Sequence, residues 1–205
     1  MFFLKSSAVG ASAVGTTASP AESDPSGKSA NSPGAKLDAG KPRVGLCLTG
    51  FMLGLQRLHL HIDGAPGAPL PSPYATLVRV TEQWPRALAE VAEVTTQGAR
   101  KYTPGGWASV ENGVDRYLDA YGRHLLSAGR GERRDDGQGG TGCLHSAQQA
   151  WNLLAVMTLW DHNGPFSKLE QFNLIAEITA QTLNDLEREL FELEAVRAAD
   201  AEAAD

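Results

Sequence analysis

The chain has 205 residues and a formal net charge of −6 at pH 7, with an isoelectric point of about 5.4. This length fits one domain with appendages. The acidic balance argues against a nucleic-acid-binding protein, because phosphate backbones attract basic surfaces. No run of about 18 apolar residues is present, so we expect no membrane span. The two cysteines, Cys47 and Cys143, are too few for a disulfide framework, which predicts a reducing, cytoplasmic location.

Residues 1–40 are rich in Ala, Ser, Gly and Pro, a composition that buries too little apolar surface to offset the entropy of ordering. We therefore predict a disordered tail there. The apolar run at 44–48 predicts a strand or an extended arm on the core, and 51–62 is compatible with a helix. Four prolines at 63–73 predict a surface loop, because proline interrupts regular structure.

A helix is predicted to begin near Pro85, since proline is tolerated in a first helical turn. The helical period places Glu90 and Glu93 on one narrow stripe. We predict that the helix ends at Gly98. A polar turn then supplies a cation and two aromatic side chains, Lys101, Tyr102 and Trp107. Carboxylates close to cations are typical of metal-assisted phosphate sites, because the metal binds the acids and the phosphates bind the cations. The pattern is equally compatible with a solvated helix end whose aromatic side chains plug the core.

The next helix is predicted over residues 114–128. Asp119 and Arg123 are four residues apart and are expected to pair on its surface, an interaction worth about 0.3–0.5 kcal/mol. His124 follows on the tyrosine side of the helix, where it is either a hydrogen-bonded core histidine or a substrate-binding group. The charged, glycine-rich segment 129–142 predicts an exposed loop.

The most hydrophobic segment, 143–160, predicts a central buried helix. It carries one polar stripe, His145, Gln148, Gln149 and Asn152. Buried polar groups need partners, so the stripe predicts either a network between helices or a site that reads a base edge or a ribose hydroxyl. From about 167 to 199, apolar residues recur at spacings of three and four, which is typical of a packing or oligomerisation helix.

Four blocks of the sequence together resemble one family. The blocks KPRVGL, EVAEVTTQGARKYTPGGW, RYLDAYGRHLL and TGCLHSAQQAWNLLAVMTL occur in the family's order over 41–159, with an apparent insertion near 52–80. They resemble the phage and prophage proteins of the dATP/dGTP diphosphohydrolase N-terminal family, which is associated with the MazG-like all-α nucleotide pyrophosphohydrolases. The resemblance implies an all-α bundle of about four core helices, with the family domain at 41–165 and the packing or oligomerisation helix at 166–205.

The same resemblance implies an activity. It is the hydrolysis of a (deoxy)nucleoside triphosphate, of the purine class, to the monophosphate and pyrophosphate, with Mg²⁺ or Mn²⁺ as cofactor. The acids that would hold the metal correspond to Glu90, Glu93 and Asp119. The cations that would neutralise the phosphates correspond to Lys101 and Arg123. The substrate-binding positions correspond to Tyr102, Trp107, His124, His145, Gln148 and Asn152. A homo-oligomer in the cytoplasm, that of a bacterial host if the chain is phage-encoded, is expected.

Departures from the family pattern keep an alternative open. The related enzymes usually carry EExxE on the first core helix, whereas this chain has only Glu90 and Glu93 there, beside Ala89. Gln148 stands where relatives often carry a second histidine. A non-catalytic nucleotide-binding or structural phage protein on the same fold is therefore the competing hypothesis. An HD-like phosphohydrolase that uses His124 and His145 ranks last, because the sequence contains no His-Asp dipeptide.

Overall fold

The computed structural model describes residues 25–29, 32–36, 38–65, 67–161 and 168–203, and the chain divides into two units, 1–41 and 42–205. The predicted tail at 1–40 lies partly outside the described residues. Its described part forms turns, and Lys36 pairs with Asp38 at 3.2 Å.

The second unit is built from α-helices, as the sequence predicts. The helices are α1 (Val44–Gly50), α2 (Met52–Asp63), α3 (Pro73–Gln83), α4 (Pro85–Lys101), α5 (Gly113–Gly129), α6 (His145–Leu159) and α7 (Leu169–Glu202), and a 3-10 helix covers Gly106–Ser109. Within the described ranges no strand is formed, and one isolated bridge joins Arg134 to Leu144. The all-α fold class is therefore confirmed.

The structure corrects three details of the sequence-based prediction. The run at 44–48 is part of helix α1, which is anchored where the Arg43 backbone N–H donates to the Thr96 hydroxyl at 2.7 Å. An additional helix, α3, follows the proline-rich loop, because Ser72 caps it and Pro73 suits its first turn. Helix α4 continues through Gly98 to Lys101, since one interior glycine costs a helix only about 1 kcal/mol.

Helix α6 is the centre of the core, as its hydrophobicity predicts. It packs against α2, α4, α5 and α7. Leu153, Leu154 and Met157 have no exposed surface. Helix α2 approaches closely at Gly54, where an added Cβ would lie 2.9 Å from the Leu154 carbonyl oxygen. The close approach leaves no room for a larger residue there.

Helix α7 supplies the cap of helix α4. No side chain at the N-cap residue of α4 caps that helix, but the Glu187 carboxylate accepts from the backbone N–H groups of Arg86 and Ala87 at 2.9 and 2.8 Å. Beside it, the Trp84 indole donates to the Asn184 amide oxygen at 2.7 Å. These bonds satisfy groups that every helix N-terminus leaves unpaired, so α7 fixes the start of α4.

None of the helices in the described part of the chain is long and apolar enough to cross a membrane.

Candidate functional site

A cavity of about 840 Å³ lies between the C-terminal half of α4, helix α5, the loop at 130–144 and the polar stripe of α6. Cavities of roughly 300–1,000 Å³ hold small molecules of cofactor size. Some of the site residues predicted from the sequence line this cavity, and others lie outside it. Those that line it are Lys101, Tyr102, Trp107, Asp119, Arg123, His124, Gln148 and Asn152.

An aromatic cluster forms one wall of the cavity. The ring of Trp107 lies 4.7 Å from Phe51 and 5.8 Å from Trp151, and its carbonyl accepts a 2.8 Å hydrogen bond from the Tyr117 hydroxyl. Trp107 therefore plugs the core and borders the cavity at once. Tyr102 differs, since 70% of its surface is exposed and the Lys101 ammonium lies 5.5 Å from its ring.

Three cations line the cavity, namely Lys101, Arg116 and Arg123. Among the residues that the structure describes, none of the three takes part in an ion pair within 4.0 Å. The expected pairing of Asp119 with Arg123 is therefore not formed, although both side chains line the same cavity. Sequence reasoning missed Arg116, which its spacing of three and seven residues from Asp119 and Arg123 places on their face of α5.

Asp135 is a second cavity carboxylate that sequence reasoning missed. Its Oδ2 accepts from the Thr141 backbone N–H at 3.1 Å and from Gln148 Nε2 at 3.2 Å. Burial by itself would raise the pKa of Asp135, but those two bonds and the charges of His124 and His145 outweigh burial and lower it. The segment predicted as an exposed loop thus sends one of its acids onto the polar stripe of α6.

Glu90 and Glu93 lie outside the cavity lining. Glu90 lies in a separate groove with Arg86, Leu190 and Glu194, where α7 packs along the N-terminal half of α4. Glu93 accepts a hydrogen bond from Gln97. Across the described ranges, no group of three or more His, Cys, Asp or Glu side chains could hold a metal ion. The structure therefore does not assemble Glu90, Glu93 and Asp119 into one ligand set.

His124, which lines the cavity, pairs with His145, which lies outside the cavity lining. Their Nδ1 atoms lie 2.9 Å apart, so one ring donates its N–H and the other accepts. His145 is 4% exposed, and its Nε2 lies 3.8 Å from a Glu132 carboxylate oxygen without a hydrogen bond. Burial lowers the pKa of His124, and the neighbouring His145 and Arg123 lower it further against the opposing effect of Asp135. His124 is consequently neutral near pH 7.

The polar stripe of α6 is buried, as predicted, and its side chains are hydrogen-bonded. Gln148 Nε2 donates to Asp135, and Asn152 Nδ2 donates to the Gln148 carbonyl at 2.7 Å. Gln149 Nε2 donates to the His124 carbonyl at 3.4 Å and lies away from the cavity lining. The stripe therefore both joins α5 to α6 and contributes two amides, those of Gln148 and Asn152, to the cavity wall.

Comparison with known proteins identifies one family. Residues 72–167 match the model of the family described as dATP/dGTP diphosphohydrolase, N-terminal, which confirms the resemblance inferred from the three later sequence blocks. The block at 41–46 lies outside the match. No curated protein and no solved structure matches the chain. All residues that line the cavity, apart from Leu46, belong to the matched segment.

Proposed function

We propose that the cavity binds a purine (deoxy)nucleoside triphosphate and hydrolyses it to the monophosphate and pyrophosphate. The observation that carries this proposal is the coincidence of the family match with the cavity, whose lining falls almost wholly within 72–167. Site residues of an enzyme family converge on one concave surface, whereas residues matched only for packing would be spread through the core.

The charge of the cavity supports a phosphate ligand. Lys101, Arg116 and Arg123 line it without ion-pair partners in the described part of the protein, and an anionic triphosphate would supply those partners. Cations at a fixed position stabilise the charge that develops on transferring phosphates, because they need no rearrangement during the reaction. Lys101 and Arg123 are thus assigned to the phosphates, with Arg116 beside them.

In the proposed reaction, a water oxygen attacks the α-phosphorus and the bond from that phosphorus to the bridging oxygen breaks. Pyrophosphate leaves with the bridging oxygen, and the attacking water loses a proton. His124 lines the cavity and is neutral near pH 7 because its pKa is lowered, so we assign it as the group that accepts this proton.

We also propose that a divalent cation, Mg²⁺ or Mn²⁺, binds in the cavity through fewer than three protein ligands. The described residues form no cage of three protein ligands, but Mg²⁺ is usually bound through one or two carboxylates together with substrate phosphates. Asp119 fits this role, since it is exposed in the cavity lining and has no ion-pair partner among the described residues. When bound, the cation would neutralise phosphate charge and make a bound water more acidic.

A non-catalytic nucleotide-binding or structural protein is the second candidate function. The observation that favours it is the position of Glu90, which lies in the groove against α7 and away from the cavity. With the acids of α4 excluded from the site, the cavity keeps its cations and amides, which suffice to bind a nucleotide.

One assay separates the two functions. The protein is incubated with dGTP or dATP and Mg²⁺ or Mn²⁺, and released pyrophosphate is measured. For an enzyme we expect Asp119→Asn to reduce turnover about 100-fold or more, whereas Asp115→Asn, an exposed acid on the same helix outside the cavity, leaves it unchanged. Glu90→Gln and Glu93→Gln are expected to reduce turnover less than Asp119→Asn does. No pyrophosphate from either nucleotide with either metal would favour the non-catalytic protein.

We further propose that α7 mediates self-association. Phe191 and Val196, near its C-terminal end, are each 58% exposed. Large apolar side chains left exposed on a long helix are typical of an interaction surface. Light scattering on the purified chain tests this proposal, and a monomer at all concentrations would contradict it.

A further inference from the structure

The orientation of two side-chain amides in the cavity is set by their hydrogen-bond partners. The partner of Gln148 is the Asp135 carboxylate, and the partner of Asn152 is a backbone carbonyl oxygen. Both partners are acceptors, so each amide must turn its NH₂ group toward its partner. A flipped amide would set oxygen against oxygen. The amide oxygens of Gln148 and Asn152 consequently point away from these partners.

Both amide oxygens are open to the cavity. In the part of the chain that the structure describes, no protein group donates to Gln148 Oε1 or Asn152 Oδ1. Neither oxygen is among the fully buried side-chain atoms that the described residues leave without a hydrogen bond. Since both residues line the cavity while being only 6% and 5% exposed, their oxygens face its interior. The cavity wall thus presents two hydrogen-bond acceptors.

The two acceptors lie four residues apart on one helix. Such residues are neighbours on the helix surface, with Cβ atoms about 5–6 Å apart, so their amide ends can converge on one ligand edge. Each amide is held by its own hydrogen bond within the buried stripe. The pair is therefore preorganised for a ligand that carries two adjacent donors.

We propose that Gln148 and Asn152 select guanine over adenine, an inference that rests on the proposed binding of a purine nucleotide. The Watson–Crick edge of guanine carries two adjacent donors, N1–H and the N2 amino group, which match two acceptor oxygens. Adenine has its N6 amino group next to the N1 lone pair. Its lone pair would face an amide oxygen, which leaves two acceptors opposed and unpaired.

Hypoxanthine separates the two contacts, because it keeps N1–H and lacks the N2 amino group. The experiment is isothermal titration calorimetry of the full chain with the α,β-methylene analogues of dGTP, dITP and dATP in Mg²⁺. We expect the dITP analogue to bind about three- to tenfold more weakly than the dGTP analogue, and the dATP analogue about 100-fold more weakly. Equal affinities for the three analogues, or tighter binding of the dATP analogue, would overturn the proposal.

Variants assign the selectivity to the two amides. Asn152→Leu and Gln148→Met keep the side-chain size and remove one acceptor each, so each is expected to shrink the preference for guanine about tenfold or more. Gln149→Met is the matched control, because this neighbouring amide lies outside the cavity lining and its removal should leave the preference unchanged. Equal loss in all three variants would overturn the assignment. If a variant fails to fold, the affinities of the unaltered chain for the three analogues still test the proposal.

Binding and hydrolysis are read separately, so the two proposals fail in different ways. If the analogues bind in the expected order but dGTP releases no pyrophosphate, the proposed hydrolysis fails and the guanine assignment stands. If dGTP is hydrolysed and the three analogues bind equally, the assignment fails and hydrolysis stands. If none of the analogues binds, the guanine assignment is overturned.

Discussion

The two ends of helix α4 handle charge in opposite ways. At its N-terminal end, Arg86 pairs with Glu187 at 3.1 Å and with Glu194 at 2.7 Å. The Glu187 carboxylate also caps the helix through two backbone N–H groups. Arg86 thus has its ion-pair partners on α7, so this end of α4 is held by contacts within the protein.

At the C-terminal end of α4, by contrast, the cations line the cavity without ion-pair partners among the described residues. Lys101 lines the cavity together with Arg116 and Arg123 of the next helix. Asp119 and Asp135 border the same cavity as these cations. The difference between the two ends separates residues that hold the fold from residues that are free to bind an anion.

Exchanging one arginine at each end gives the largest expected effect. Arg123→Gln removes a cation from the cavity, so we expect nucleoside triphosphate affinity to fall about 10- to 100-fold because a charge-assisted contact is lost. Its exposed side chain makes no ion pair in the described residues, so the melting temperature should stay the same. Calorimetric titration with a non-hydrolysable dGTP analogue and thermal denaturation measure the two quantities.

Arg86→Gln is the counterpart at the other end of α4. This change removes ion pairs to two glutamates of α7, so it should lower the melting temperature and leave nucleotide affinity unchanged. The contrast between the two ends is wrong if Arg123→Gln destabilises the fold without weakening nucleotide binding.

The helices of the core were predictable because their signals are local. The apolar spacings that define α4, α5, α6 and α7 lie within single segments, and burial of one helix face needs no knowledge of its partner. The short run at 44–48 lacks such a period, and five apolar residues fit a strand as well as a helix. This run is helical because it packs against α4, a tertiary contact that the local sequence does not reveal.

The buried part of the site was predictable where burial itself was predictable. The polar stripe of α6 stood out because a polar residue on a buried helix needs a partner. Asp135 gave no such signal, because its neighbours are charged and its burial depends on the loop at 130–144 folding onto Gln148. The position of Glu90 likewise depends on α7, about 100 residues later in the sequence, because Glu90 shares its groove with Leu190 and Glu194 of that helix.

Removing the cap at the N-terminal end of α4 gives the second largest expected effect. Glu187→Ala leaves the backbone N–H groups of Arg86 and Ala87 without their acceptor, so we expect a loss of about 1–2 kcal/mol in the free energy of unfolding. Urea denaturation measures this loss. Glu192→Ala is the control, since Glu192 is exposed on the same helix and has no hydrogen bond or ion pair among the described residues. Comparable losses for both variants would show that the cap contributes nothing.

The pH dependence of stability gives the smallest expected effect and belongs to the cavity end alone. The pKa of His124 is lowered from its ordinary 6.5 because burial and the charges of His145 and Arg123 oppose its protonation. The negative charge of Asp135 favours protonation but offsets only part of this lowering. The unfolded chain therefore binds more protons than the folded one below pH 6.5. The contribution of His124 to stability is complete above that pH and is lost as pH falls toward its folded pKa.

The window from pH 7.5 to pH 5 isolates this histidine from the nearby carboxylate. The lowered pKa of Asp135 acts in the same direction, but only below the ordinary aspartate pKa of 3.8. In urea denaturation across the window, His124→Gln should therefore lose stability less steeply with falling pH than the unaltered protein does. Glu187→Ala should keep the unaltered slope while starting from a lower stability, because its cap carries no histidine. If His124→Gln kept the full slope, the protonation that destabilises the fold would belong to another group, and the cavity end would no longer differ from the α7 end in its response to pH.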